Sequence, residues 1–201
     1  MEKQELFAKI VRHLEKDETP SEYLNGLLDE PVFAQEPFRP LYLLSKTEQS
    51  PKYHPEGNAW VHTMMVVDQA AKVKARSTRP REFMIACFLH DIGKLQTTAV
   101  RKGRITSYGH DEAGEVLAKK LLCKFMKDEK AIAYIVSLVR YHMHILYVIK
   151  NLPFARTRQM KKEACIQDVA LLGYCDRMGR TGANEAEERE TIEKFYELVK
   201  E

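Results

Sequence analysis

The run Phe83-Met84-Ile85-Ala86-Cys87-Phe88-Leu89 constrains this chain more than any other stretch. It leaves no polar face, so a helix built from it is buried nearly all round. Directly behind it stands His90-Asp91-Ile92-Gly93-Lys94, which puts an imidazole and a carboxylate at the end of a core helix. An ionisable carboxylate is costly there unless something pairs with it. A divalent metal satisfies both groups together, taking a neutral nitrogen from histidine and an anionic oxygen from aspartate. Gly93 then releases the helix, and Lys94 offers a cation close to the same place.

The surrounding sequence reads as all-α. Leu6, Ile10, Val11 and Leu14 make an amphipathic helix of residues 2–17, and Ser21 is a cap for a second short helix through Leu28. Pro31, Pro37 and Pro40 mark an irregular link before a short helical segment at 41–45. After a loop at 51–57, Asn58 caps a helix running from Trp60 to about residue 75, and Pro80 suits the first turn of the next. Residues 97–107 carry β-formers on both sides of a basic turn, which admits one short β-hairpin. Helices follow at 111–126, 129–141, 163–177 and 184–200, with a loop or partly helical stretch over 143–162. The expectation is one domain over 1–201, its core at about 50–180, flanked by N-terminal helices within 1–45 and a C-terminal helix at 184–200.

Length and composition agree with one globular unit, at 201 residues, 44% hydrophobic and 30% charged. Bases exceed acids by only 32 to 29, so net charge by itself does not call for nucleic acid. The four cysteines form no CxxC pair and read as free thiols in a reducing compartment. No signal peptide or membrane-spanning run is visible, so a cytoplasmic protein without a membrane partner is expected.

Helical offsets sort the remaining ligand candidates. Asp176 follows Val169 and Leu172 by seven and four residues, on the apolar stripe, whereas a bland aspartate faces water. A carboxylate paired to a buried arginine is the competing account. His142 follows Ile135, Leu138 and Val139 at the same offsets and points inward. His144 shares its face with Ser137, Arg140 and Tyr141 and is expected to point outward. His62 lies in a helix apolar around most of its circumference, and His110 starts a helix with Ala113 and Gly114 one turn on. Any one of these histidines, taken singly, is more often a satisfied structural residue than a ligand. Their coincidence with two aspartates favours a metal site.

The ordered set His62, His90-Asp91, Asp176 resembles the HD-domain metal-dependent phosphohydrolases, and His110 with His142 resembles the members that hold two metals. More narrowly, His54-Pro55-Glu56-Gly57-Asn58-Ala59-Trp60-Val61-His62-Thr63 and Asp176-Arg177-Met178-Gly179-Arg180 resemble the HD domain of bacterial tRNA nucleotidyltransferases, over roughly residues 50 to 180. The resemblance implies an all-α HD bundle with one metal on His62, His90, Asp91 and Asp176. A second metal would sit on His110 and His142, with Asp91 bridging and catalytic. It departs from those enzymes in having no room for their nucleotide-adding domain, so nucleotide addition is not expected. Two metals about 3.5–4 Å apart hold a hydroxide that attacks phosphorus. The nitrogen-rich set suits Mn, Fe, Co, Ni or Zn.

Lys94, catalytic in this reading, joins Arg177 and Arg180 as candidates for holding the phosphate, each weighed against a merely solvated base. The motif gives His54 and Glu56 as residues that line the mouth or stand behind the ligands. The expected substrate is a nucleotide or an RNA end, cleaved as a phosphodiester (2′,3′-cyclic type) or phosphomonoester. The alternatives are a nucleoside 5′-monophosphatase or other small phosphomonoesterase, and a non-catalytic metal-stabilised module that binds RNA or protein. The basic segments 101–104 and 156–162 suit a nucleic-acid backbone, but neither is interleaved in sequence with stacking aromatics.

Overall fold

The seven residues Phe83 to Leu89 are all buried, and the helix that carries them is the hub of the bundle. The computed structural model describes residues 2–200. In chain order it contains α1 (Lys3–Lys16), α2 (Pro20–Gly26), α3 (Arg39–Tyr42), α4 (Ala59–Val73), α5 (Pro80–Leu89) and α6 (Lys94–Thr97). Two strands follow, β1 (Ala99–Arg101) and β2 (Arg104–Thr106). The second half is α7 (His110–Leu122), α8 (Glu129–Tyr141), α9 (His144–Ile149), α10 (Thr157–Glu163), α11 (Ile166–Met178) and α12 (Glu185–Lys200). Helix α5 packs against α1, α4, α8 and α11 at once, so a residue at its C-terminal end is delivered to the middle of the molecule. No helix is long and apolar enough to cross a membrane.

Local chemistry sets the boundaries. Asn58 Oδ1 accepts from the amides of Trp60 and Val61 at 3.1 and 3.0 Å and starts α4, and Asp128 does the same for α8. Pro80 opens α5, where its missing N–H costs nothing. In the hairpin, Val100 faces Ile105 and Arg101 faces Arg104. Lys102 and Gly103 take φ of 51° and 72°, the paired left-handed geometry of a two-residue type I′ turn.

Three expectations need correction. Ser21 does not cap α2: its amide and hydroxyl both donate to the Asp68 carboxylate of α4, at 3.0 and 2.6 Å. Helix α7 stops at Leu122 rather than 126, because Phe125 leaves the helical path to stack on Phe7 and Phe38, with centroids 4.5 and 5.1 Å away. His144 is fully buried, not outward. Helix α8 ends at Tyr141, so offsets counted from Ser137 no longer apply, and the ring packs between Tyr141 and Tyr147 away from the other histidines.

Candidate metal centre

Helices α4, α5, α7, α8 and α11 bring His62, His90, Asp91, His110, His142 and Asp176 together. Asp91 lies at the centre, 1% exposed, with its two oxygens facing different partners. Oδ2 is 3.3 Å from His90 Nε2 and 3.8 Å from His62 Nε2. Oδ1 is 3.5 Å from His110 Nε2 and 3.9 Å from His142 Nε2, and has no hydrogen-bond partner. One carboxylate thus separates two groups of imidazoles.

The backbone fixes the tautomers. His90, His110 and His142 each donate from Nδ1 to the carbonyl three residues earlier, of Cys87, Ser107 and Val139, at 2.8, 2.8 and 2.6 Å. A carbonyl only accepts, so Nδ1 carries the proton and Nε2 presents a lone pair to the centre. His90 Nε2 is buried without a hydrogen-bond partner, and His110 and His142 face each other Nε2 to Nε2 at 3.1 Å. Two lone pairs at that distance repel unless a cation or proton lies between them. Orphaned imidazole nitrogens around an orphaned carboxylate oxygen are the donor set of a divalent transition metal, so these residues fit the group. The neutral imidazoles agree: burial, with His110 and His90 nearby, lowers His142 to about 3, and burial also lowers His110.

His62 differs. It donates from Nε2 to Asp176 Oδ1 and from Nδ1 to Glu56 Oε1, both at 2.9 Å, and only an imidazolium can do both. Burial pulls its pKa down, but the hydrogen bonds to the two carboxylates win and raise it. Burial likewise pushes the carboxyls up, yet Lys94 and His90 hold Asp91 well below its usual range. Arg180 and His62 do the same for Asp176.

Lys94 is buried and sits on Asp91 Oδ2 at 2.6 Å, its ammonium also donating to Gln49 Oε1. Gln49 carried no signal in the sequence: it is a polar side chain in a linker, 45 positions from its partner. His54 Nδ1 donates to the same Glu56 oxygen as His62, at 2.9 Å, so both imidazoles share one carboxylate. Arg180, half-buried, reaches both oxygens of Asp176 at 3.2 Å, so Asp176 has an arginine partner, as in its competing account, as well as His62. Arg177 is not brought to the cluster. One residue past Asp176 it points about 100° away around the helix, and Glu188 of α12 holds its guanidinium.

The HD domain family model matches residues 60–178, a span holding all six candidate ligands. Proteins named "Multifunctional CCA protein" are similar to the chain. The one from Halorhodospira halophila is 38% identical over 48% of the chain, that from Pasteurella multocida 30% over 80%, and that from Polaromonas naphthalenivorans 33% over 67%. The chain spans only 22%, 40% and 32% of the length of those three proteins. Matched by the family's model over more than half of its own length, the chain belongs to the HD-domain family, a superfamily of metal-dependent phosphohydrolases.

Proposed function

We propose that this protein hydrolyses a phosphate ester of a nucleotide or of an RNA end, with His62, His90, Asp91 and Asp176 holding one divalent transition metal and His110, His142 and Asp91 a second. The observation that supports this most is the division of Asp91, with one oxygen toward His62 and His90 and the other toward His110 and His142. When bound, such metals supply Lewis-acid neutralisation of a phosphoryl oxygen and lower the pKa of a water. The protein's own residues supply position and charge. Glu56, by accepting from His62 Nδ1, fixes which ring nitrogen is left for a ligand role. Lys94 holds Asp91 ionised and places a cation beside the developing charge on the phosphate. Arg180, 30% exposed at its side chain, is the cation at the mouth. The likeness to multifunctional CCA proteins supports a nucleotide or RNA ester, of 2′,3′-cyclic or monoester type.

The test is phosphate-ester hydrolysis by protein loaded in turn with Mn, Co, Ni, Zn and Mg. Substrates are 2′,3′-cyclic nucleotides, nucleoside 5′-monophosphates and a generic aryl phosphodiester. Asp91→Asn is expected to lower turnover by at least about a hundredfold. Equal turnover in Asp91→Asn, or none on any ester from a folded, metal-loaded protein, rejects the hydrolase.

A further inference from the structure

We propose that the loop carrying Tyr53 and the connection from β2 to α7 carrying Tyr108 form a rim that holds single-stranded nucleic acid, the two rings stacking bases beside the phosphate presented to Asp91. This rests on the hydrolase reading above and adds the form of its substrate.

Among the cluster's histidines, His54 and His110 are the most exposed. The side chains of His62, His90, Asp91 and His142 are at most 1% exposed, whereas His54 is 14% and His110 9% exposed. His54 lies in the first of these loops and His110 opens α7 directly after the second, and both loops bear an exposed ring. Tyr53 precedes His54 and is 59% exposed; Tyr108 lies two residues before His110 and is 73% exposed. Both loops are anchored to the site. Gln49 joins Lys94 to the Gly57 carbonyl across the first loop. In the second, the Ser107 carbonyl accepts from His110, and the Ser107 hydroxyl meets that of Thr98 at 2.7 Å.

Each ring has a cation over one face: Arg101 Cζ is 5.4 Å from the Tyr108 centroid and Lys52 Nζ is 5.3 Å from that of Tyr53. In sequence Arg101 and Tyr108 are seven residues apart; the hairpin folds one onto the other, supplying the aromatic the linear pattern lacked. The opposite ring face is left for a base. The charge is one-sided as well. No acidic residue occurs between Asp91 and Asp111, while Lys94, Arg101, Lys102 and Arg104 all do. Among the described residues, Arg101, Lys102 and Arg104 have no carboxylate within ion-pairing distance. A single phosphate at Asp91 is already met by Lys94 and Arg180. Three further unpaired cations on the adjoining hairpin match a backbone with more than one phosphate.

The experiment is fluorescence anisotropy of a labelled single-stranded oligoribonucleotide on the protein as purified, with strand integrity checked on a gel. Tyr108→Ala is expected to weaken binding roughly tenfold, while Tyr108→Phe keeps the wild-type affinity. Replacing Arg101, Lys102 and Arg104 together by alanine should reduce the slope of log K against log salt by about 2, at about 0.7 per lost phosphate contact. A blunt duplex, whose bases are already stacked, should bind more weakly. The rim is overturned if Tyr108→Ala binds as the wild type does, if the duplex binds equally well, or if polyglutamate competes as well as unlabelled strand, which would indicate an acidic protein partner. Binding with the expected signature supports the rim even when no ester is turned over. Turnover without it leaves the hydrolase standing and removes the rim.

Discussion

Gly93→Ala is a one-carbon test of how the fold assembles the centre. Gly93 has an ordinary φ of −70°, so no special backbone conformation calls for glycine. What calls for it is a close approach. A Cβ built there would lie 2.0 Å from the His110 carbonyl oxygen and 2.5 Å from the Gly114 amide nitrogen, where ordinary contact begins at 3.4 Å. Both atoms are backbone, so no side-chain rotation relieves the clash, and the start of α7 must retreat by about 1.4 Å. Overpacking of this kind costs about 1–3 kcal/mol. In a chain of this size each kcal/mol moves Tm by roughly 2–4 °C, giving an expected fall of roughly 2–12 °C. The retreat also carries His110 away from Asp91 Oδ1, now 3.5 Å away, and a displacement near 1 Å costs on the order of a hundredfold in rate. The assays are thermal unfolding, metal content after dialysis, and ester turnover. Gly114→Ala is the control, because its Cβ would meet only the movable Cγ1 of Val139, at 3.1 Å, among close contacts. A Gly93→Ala protein with wild-type Tm and wild-type metal content would refute the argument.

Two further outcomes separate the halves of the centre. His110→Ala is expected to lower metal content from two ions per chain to one, with turnover falling by at least about tenfold; two ions retained, or one ion in the wild type with turnover untouched by the substitution, denies the second metal. In chelated protein, His62 has its pKa raised above the usual 6.5, so its contribution to stability is full below 6.5 and is lost as pH rises through the folded value. Asp91 and Asp176 are already ionised there, so metal uptake near pH 6.5 should release a proton from the protonated fraction of His62, and that contribution should shrink as pH rises through its folded value. Calorimetric titration in buffers of different ionisation enthalpy measures this, and no proton release at pH 6.5 would remove the imidazolium assignment.

Periodicity turned two members of the cluster inward, His142 and Asp176, and the full set was implied only by the resemblance. The offsets of His142 and Asp176 from apolar neighbours survive because α8 and α11 are regular up to those residues, whereas 97–107 read equally as a hairpin or a basic loop, because lysine does not announce the left-handed geometry that Lys102 takes. The same rule misplaced His144 by assuming that α8 continued past Tyr141. It could not separate Arg177 from Arg180 either: both flank the motif, and only the presence of α12, which supplies Glu188, shows that Arg177 is engaged elsewhere. Ser21 had a legitimate capping role by type, but α2 already begins at Pro20, so Ser21 falls inside the helix and its amide and hydroxyl donate to the Asp68 carboxylate of α4 instead. Gln49 was illegible because a contact between a linker and a helix start leaves no local pattern.

What gives the paired His-Asp motif its place at a helix end is the chemistry of the end itself. The last carbonyls of an α-helix lack intrahelical donors. Cys87 and Val139 lie in the last turns of α5 and α8, and their carbonyls are taken by His90 and His142, each the residue just past its helix. One hydrogen bond therefore does two jobs, closing the helix and fixing the proton on Nδ1, so that Nε2 must face inward. The helix dipoles add to this, since both C-terminal ends are negative and favour a cation nearby. His110 lies at the opposite end of its own helix, where the dipole disfavours a cation, and takes its Nδ1 acceptor from Ser107 in the preceding turn. His62 likewise stands in the first turn of α4, and His142 shares the half of His110, so the helix ends do not rank the two halves. The half of His62 and His90 alone adds a second carboxylate, Asp176, and should therefore bind its ion more tightly, so that stepwise metal removal by a chelator empties the His110 half first. Loss of both ions in one step, with equal affinity, would show that Asp176 does not set the order.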